Sequence, residues 1–338
     1  MRLRSIFITL SLILLVAAAG AVAFIMDLYE YARTPIDPAG HEQIVSIPPG
    51  KGFYDIASRL QSAGIISDST KFGRFARIKG SDKKIRAGEY ALSPAMTSEA
   101  ILNTLVNGKV RLHQITIPEG YTVEQIAGLL QEAGLADKSR FITAASEPER
   151  VRKAGFEGPT FEGYLFPDTY YFPKDETIDT IIDTMVDRFR SVFIPDWRNR
   201  AKEMGFSVHE IVTLASIIEK ETGAASEREL ISSVFHNRLK KRMRLESDPT
   251  VIYGIKDFNG NLTRKDLKTH TKYNTYRIKG LPPGPIANPG QAALHAALFP
   301  ADTEYLYFVS KKDTTHHFST NFTDHNQAVR KYQLRRRK

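Results

Sequence analysis

An uncharged run from Ser5 to Met26 opens the chain, preceded by Arg2 and Arg4 and followed by Asp27 and Glu30. As a helix it reaches roughly 33 Å at about 1.5 Å per residue, enough to cross a bilayer. Positive charge ahead of the run predicts residues 1–4 as a cytoplasmic tail, 5–26 as an anchor and the bulk of the chain outside. Ala21-Val22-Ala23 resembles a signal-cleavage site, but the apolar run continues past it and is long for a cleaved signal. An uncleaved anchor is therefore expected. Residues 27–44, with Pro35 and Pro38, read as a juxtamembrane linker.

A second pattern repeats at an offset of 70 positions. Val45-Ser46-Ile47-Pro48-Pro49-Gly50 matches Ile115-Thr116-Ile117-Pro118-Glu119-Gly120, and Ile56-Ala57, Leu60-Gln61 and Ala63-Gly64 recur as Ile126-Ala127, Leu130-Gln131 and Ala133-Gly134. Each copy predicts a short strand, a turn at the proline and glycine, and a helix ending at glycine. Between the copies the pattern predicts a helix near Ser69–Lys79, a strand at Gly88–Ser93 and a helix at Ser98–Asn107. Strand, two helices and strand in this order resemble a LysM-like module, a layout associated with N-acetylglucosamine polymers. A small α+β spacer would read the same way. Residues 45–110 are assigned to this module, and the second copy leads into the rest, residues 111–338.

The third pattern is a greasy helix. Ser207 and Glu210 form a capping box, Gly223 supplies a stop, and Ile211, Val212, Leu214, Ala215, Ile217 and Ile218 cover one apolar arc. Thr213, His209 and Lys220 project to the other side. Glu219 and Glu221 fall within the arc, near its edges. Burying a carboxylate is costly unless something else requires it, and an acid with a raised pKa can protonate a glycosidic oxygen near neutral pH. The helix dipole disfavours negative charge at its C-terminus, most of all at Glu221. On this ground alone the two acids are only partly separated, and either could be a flank carboxylate paired with a base.

Composition narrows the picture. The 338 residues suffice for two or three domains, with 42% hydrophobic and 25% charged residues and an overall α+β pattern. The absence of cysteine excludes disulfides and thiolate chemistry and suits an extracytoplasmic protein. The net charge of +9 suits an anionic setting such as a membrane surface or wall polymer. Basic residues are spread rather than clustered, so nucleic acid is not an expected partner. The basic end Arg335–Lys338 reads as solvated. Patterns for zinc proteases, P-loop NTPases and α/β-hydrolases are missing. His316, His317 and His325 lack a third ligand spacing on a clear scaffold, so neither a metal nor another cofactor is expected.

Further segments carry candidate chemistry. Phe161–Phe172 is dense in aromatic residues and suits a domain core or a wall for stacking sugars. Met243–Gly254, Tyr273–Tyr276 and the proline- and glycine-rich Gly280–Gly290 suit the sides of a cleft. Their Asn, Thr, Ser and Tyr residues match sugar hydroxyl and acetamido groups. Candidate substrate-binding residues are Glu219, Glu162, Ser247, Asp248, Tyr273, Asn274, Thr275, Tyr276 and Pro283. Among the further acids, Glu162, Asp168 and Asp248 are expected to act structurally first, the two aspartates as caps beside proline.

Together, LFPDTY, ASIIEKETG, SDPTVIYG, YNTY and GLPPGPIANPG resemble the endolytic murein transglycosylases, over nearly the whole chain. The resemblance implies a single-pass inner-membrane protein acting on nascent peptidoglycan strands, with cell-wall synthases as partners. It also implies non-hydrolytic cleavage of the MurNAc–GlcNAc β-1,4 bond, leaving a 1,6-anhydro end. One carboxyl group serves first as acid on the leaving oxygen and then as base on the muramyl C6 hydroxyl. Glu221-Thr222-Gly223 is similar to the Glu-Ser-Gly of soluble lytic transglycosylases and goose-type lysozymes, which points to Glu221 as catalyst and Glu219 as its neighbour. A membrane-anchored peptidoglycan-binding scaffold and a hydrolytic muramidase are the competing readings.

Overall fold

The apolar run folds as one helix, α1 (Arg2–Arg33), in a computed structural model that describes residues 2–334 and, among these, side chains from Ile6 onward. The basic end at Arg335–Lys338 and the side chains of the expected cytoplasmic tail lie outside the described residues. From Ile6 to Arg33 the helix is long and apolar enough to cross a membrane, with a mean hydropathy of 2.6 over its most apolar stretch. It does not stop at Met26. Its last turns run through part of the expected linker and bury Leu28 and Ala32.

The chain divides into two compact units, one reaching His113 and including Pro173–Asp175, the other formed by Gln114–Phe172 and the residues from Glu176 onward. In the first, β1 (Gln43–Ile47) leads through Gly50 to α2 (Phe53–Ser62), α3 (Ser69–Ile78), β2 (Gly88–Leu92) and α4 (Ser98–Asn107). Strands β1 and β2 pair antiparallel, with Val45 opposite Tyr90 and Ile47 opposite Gly88. This register turns Val45, Ile47, Tyr90 and Leu92 onto Ile56, Leu60, Phe72, Phe75, Ile101 and Leu105, to which α1 adds Leu28 and Ala32. The Tyr31 hydroxyl donates to the Asp68 carbonyl at 2.8 Å, tying α1 to the cap of α3.

The second unit opens with the second copy of the repeat, and the copy is more complete than its sequence indicates. Strand β3 (Leu112–Thr116) leads through Gly120 to α5 (Val123–Glu132) and α6 (Lys138–Ala145), then α7 (Pro148–Lys153), and returns as β4 (Thr169–Pro173), which pairs with β3. Helices α2 and α5 occupy matching positions, and the glycines beyond them, Gly64 and Gly134, take φ of 70° and 68°. In each copy the next amide reaches back to close the helix, Ile65 to Leu60 and Leu135 to Leu130, both at 2.9 Å. Asp68 caps α3 as Asp137 caps α6. The repeated unit is therefore β-α-α-β.

The remaining helices are α8 (Ile178–Val192), α9 (Pro195–Glu203), α10 (Val208–Glu221), α11 (Arg228–Lys240), α12 (Asp248–Tyr253), α13 (Arg264–Lys268) and α14 (Gln291–Leu298). A hairpin of β5 (Tyr307–Ser310) and β6 (His316–Ser319), helix α15 (Phe322–Val329) and a π-helical turn (Arg330–Leu334) follow. Helix α10 lies at the centre of this unit's core, packed by α14, α11, α12 and α9. The mixed α+β class follows from these elements, with helices dominant and sheets of two strands.

Candidate active site

Helix α10 begins as its sequence predicts. The Ser207 hydroxyl accepts from the Glu210 amide at 3.2 Å, and the Glu210 carboxylate accepts from the Ser207 amide at 2.8 Å. The one-sided arc does not hold, because every residue from Ile211 to Ile218 is buried, Thr213 and Ser216 included. Their hydroxyls are satisfied within the helix, Thr213 on the His209 carbonyl and Ser216 on the Thr213 carbonyl, each at 2.7 Å. Ser216 also accepts from the Ile286 amide at 3.0 Å, which fastens the proline-rich loop 280–290 to the helix.

The end of the helix differs from the expected glycine stop. Thr222 leaves the helix extended, at φ −85° and ψ 110°, with its amide and hydroxyl both on the Ile218 carbonyl. Gly223 is needed for another reason: a Cβ there would lie 2.6 Å from the Thr314 carbonyl oxygen at the tip of the β5–β6 hairpin. A close backbone approach, not a left-handed turn, requires glycine.

Glu221 ends α10 half-buried, and the Ser247 hydroxyl donates to its Oε1 at 2.6 Å. Ser247 is itself fixed, its amide donating to the Thr275 hydroxyl at 3.0 Å. Thr275 and Thr250 share a hydroxyl contact of 2.8 Å, and Thr250 donates to the Ser247 carbonyl at 2.7 Å. Beside them the Tyr276 hydroxyl donates to Asp248 at 2.7 Å. Burial raises the Glu221 pKa, and the charge of Asp248 adds to it; the Ser247 hydrogen bond, His316 and Arg238 act against the rise. The result is a carboxyl that keeps its proton above the usual carboxylate range, with Oε1 occupied by Ser247. Such a group can donate a proton and later take one.

Glu219 is held differently. Its Oε2 accepts the Gly290 amide at 3.0 Å, and Arg228 stands 3.8 Å from Oε1. Burial raises its pKa first and the Glu119 charge raises it further, against the Gly290 bond, Arg228 and Lys220. Glu119 comes from the turn of the second repeat copy and lies where a Cβ on Gly290 would be. Glu219 thus braces the end of the proline-rich loop.

The other candidates sort by their partners. Glu162 is buried away from solvent, accepting from the Val123 amide at 3.1 Å, Asn288 Nδ2 at 2.9 Å and the Tyr253 hydroxyl at 3.2 Å. Burial pushes its pKa up to about 8 despite these donors. Asn288 completes the knot, its Oδ1 accepting the Gly163 and Leu165 amides, each at 2.9 Å. Tyr273 packs its ring on Tyr253, 4.9 Å between centroids. Asn274 is fully buried, donating to the carbonyls of Asp266, Leu267 and Thr269 and so closing the end of α13. Pro283 is exposed, and its carbonyl accepts from His209 Nε2 at 2.9 Å. Asp168 accepts from Arg188 at 2.6 Å.

The fold therefore gathers Glu221, Ser247, Asp248, Thr275 and Tyr276 at one place, Glu219 at the loop end, and Glu162 in a separate buried knot that includes Tyr253. Sequence reasoning missed Thr250, Asn288, Glu119, Arg238 and the pair Glu227–His316. Nothing local flags that pair, whose members are joined at 2.8 Å across 89 positions. Among the three histidines read for metal binding, His316 meets Glu227, His317 faces the Tyr332 ring and His325 stacks on Tyr307.

The YceG-like family model matches residues 45–331. The chain belongs to the YceG-like family. It is 34% identical over 304 residues to a protein of Bacillus subtilis named endolytic murein transglycosylase, covering 85% of this chain and 84% of that one. A Streptococcus pneumoniae protein of the same name is 29% identical over 341 residues, and the match spans 61% of its length. The 2.6 Å crystal structure of a yceG-like protein from Listeria monocytogenes superposes with a TM-score of 0.59 at 35% identity, covering 86% of this chain and 99% of that one.

Proposed function

We propose that this chain is an endolytic murein transglycosylase that cleaves the MurNAc–GlcNAc β-1,4 bond of peptidoglycan strands and leaves 1,6-anhydro-MurNAc ends. The observation that carries the reading is Glu221, a carboxyl with a raised pKa and one oxygen held by Ser247, at the end of a helix buried from Ile211 to Ile218 in a family member. The first step is protonation of the leaving GlcNAc oxygen by Glu221 as the glycosidic bond breaks. In the second, the carboxylate takes the proton of the muramyl C6 hydroxyl while that oxygen attacks the anomeric carbon. The proton returns to Glu221, and no water is consumed.

Tyr276, Asp248 and Tyr273 line the sugar path in this reading, and Pro283 forms part of its exposed rim. Asn274, Thr275 and Glu162 act through the backbone they hold. The β-α-α-β layout of the first unit supports a LysM-like, glycan-binding module. Helix α1 supports an uncleaved single-pass anchor, because it continues unbroken into that module's core. The N-terminus then faces the cytoplasm, the enzyme cuts nascent strands near cell-wall synthases, and the cut terminates elongation.

Asp248 supports a second reading. It is another carboxylate whose charge acts on Glu221, as a two-acid hydrolase would use. Mass spectrometry of digested, peptide-free glycan strands separates the two, since anhydro ends weigh one water less than reducing ends. Anhydro products support transglycosylation, reducing ends support the muramidase, and intact strands leave only a binding scaffold.

A further inference from the structure

Glu227 closes the short 3-10 turn that follows the catalytic helix end, at the start of α11. Its carboxylate accepts the His316 main-chain amide with both oxygens, at 3.1 and 3.0 Å, and the ring Nδ1 at 2.8 Å. An ionised carboxylate only accepts, so Nδ1 carries the hydrogen, and Nε2 is the ring's other polar face. Both side chains are nearly enclosed, 10% and 12% exposed. Phe308 and Phe318 brace the ring by edge contacts at 5.3 and 6.4 Å. The hairpin bearing His316 is seated on the helix end through Thr314, whose carbonyl fills the space beside Gly223.

We propose that Glu227 and His316 form a positioning pair that presents an imidazole to the end of the catalytic helix as counter-charge to the Glu221 carboxylate. The proposal rests on Glu221 being the catalyst. A single carboxyl that gives a proton and then takes another must exist as an anion in between, and burial alone makes that anion costly. The charged groups acting on Glu221 are Asp248, which opposes ionisation, and His316 and Arg238, which favour it, with Ser247 donating directly. Arg238 is committed elsewhere, to the carbonyls of Leu306, Arg244 and Leu245 and to Glu246. His316, held on one side only by Glu227, is the group placed to respond.

The test measures kcat and KM against pH for the full chain in detergent, acting on glycan strands, with His316→Asn, His316→Lys and Glu227→Gln. Removing the imidazole takes away an influence that lowers the Glu221 pKa, so the limb on which activity falls with increasing pH moves upward. The expected result for His316→Asn is a kcat about tenfold lower, a nearly unchanged KM and a limb raised by roughly half a pH unit or more. His316→Lys restores the charge and returns the limb toward the native position, while Glu227→Gln moves it as His316→Asn does, by less. A folded His316→Asn enzyme with the native limb overturns the proposal, as does a limb displaced equally by His316→Lys. Should His316→Asn lack a cooperative thermal transition, the limbs of the other two variants decide in the same way. Activity in Glu221→Gln would instead remove the reading of Glu221 itself.

Discussion

In the first copy of the repeat, the turn at Gly50 has nothing within 4 Å of the place a Cβ would take; in the second, the equivalent Gly120 faces the Glu219 and Lys220 side chains. The two glycines have nearly the same φ, 76° and 75°. The Gly120 amide donates to the Asn288 carbonyl at 2.9 Å and its carbonyl accepts from Lys220 at 3.3 Å. Pro49 of the first copy is replaced by Glu119, which adds its charge to the setting of Glu219. The first copy keeps a core of its own with Tyr90, Phe72 and Phe75. The second shares a core with α10. One β-α-α-β design thus serves once with a core of its own and once as part of the core around α10. Its turn is the part that differs in use.

The strongest way to break this comparison is to cut the second copy from the site. Asn288→Ala leaves the Gly163 and Leu165 amides without their acceptor and takes one of three donors from the Glu162 carboxyl, and is expected to cost about 3–5 kcal/mol in denaturant unfolding. A cost below about 1 kcal/mol would mean the knot does not hold the loop. A matched pair is sharper. Asn tolerates the left-handed region, so Gly50→Asn is expected to leave activity near native, while Gly120→Asn crowds Glu219 and lowers turnover roughly tenfold. Equal activities for the two variants would contradict the assigned difference between the turns.

A further effect concerns pH. The folded pKa of Glu162, about 8, exceeds its ordinary value of 4.5, so the folded chain holds this proton more tightly than the unfolded chain does. Its contribution to stability is full below the ordinary value and is lost as pH rises through about 8. Glu162→Gln keeps the acceptor and removes the titration. Between pH 5 and 9 the native protein should therefore lose on the order of 2–4 kcal/mol more than the variant in urea unfolding. Parallel losses would place the Glu162 proton elsewhere.

Local features were the ones legible in sequence. The capping box at Ser207, helix α4 and the 70-residue repeat of strand, turn and helix rest on neighbouring residues, and the structure carries them. The rest of the repeat was hidden for identifiable reasons. The caps Asp68 and Asp137 lie 69 positions apart, so the register slips by one, and an inserted stretch with α7 delays β4. Gly223 was legible as a special glycine, but its cause, the Thr314 carbonyl, is distant in sequence. Residue type alone does not say whether a polar group faces a ligand or the protein. Asn274 and Thr275 spend their hydrogen bonds inward, and Asp248 and Tyr276 spend one on each other. Glu221 was reached by likeness to a known motif; its partner Ser247 sits 26 positions away and was legible only as part of SDPTVIYG.

The central claim is that one carboxyl, Glu221, does both proton transfers. The most direct measurement is the yield of anhydro-ended products from purified glycan strands with the native chain, Glu221→Gln and Glu219→Gln, each verified folded by its thermal transition. The expected result is anhydro ends from the native chain, a loss of roughly 10³-fold or more for Glu221→Gln, and measurable turnover, lowered about tenfold, for Glu219→Gln. Native-level cleavage by Glu221→Gln, or an inactive Glu219→Gln beside an active Glu221→Gln, would contradict it.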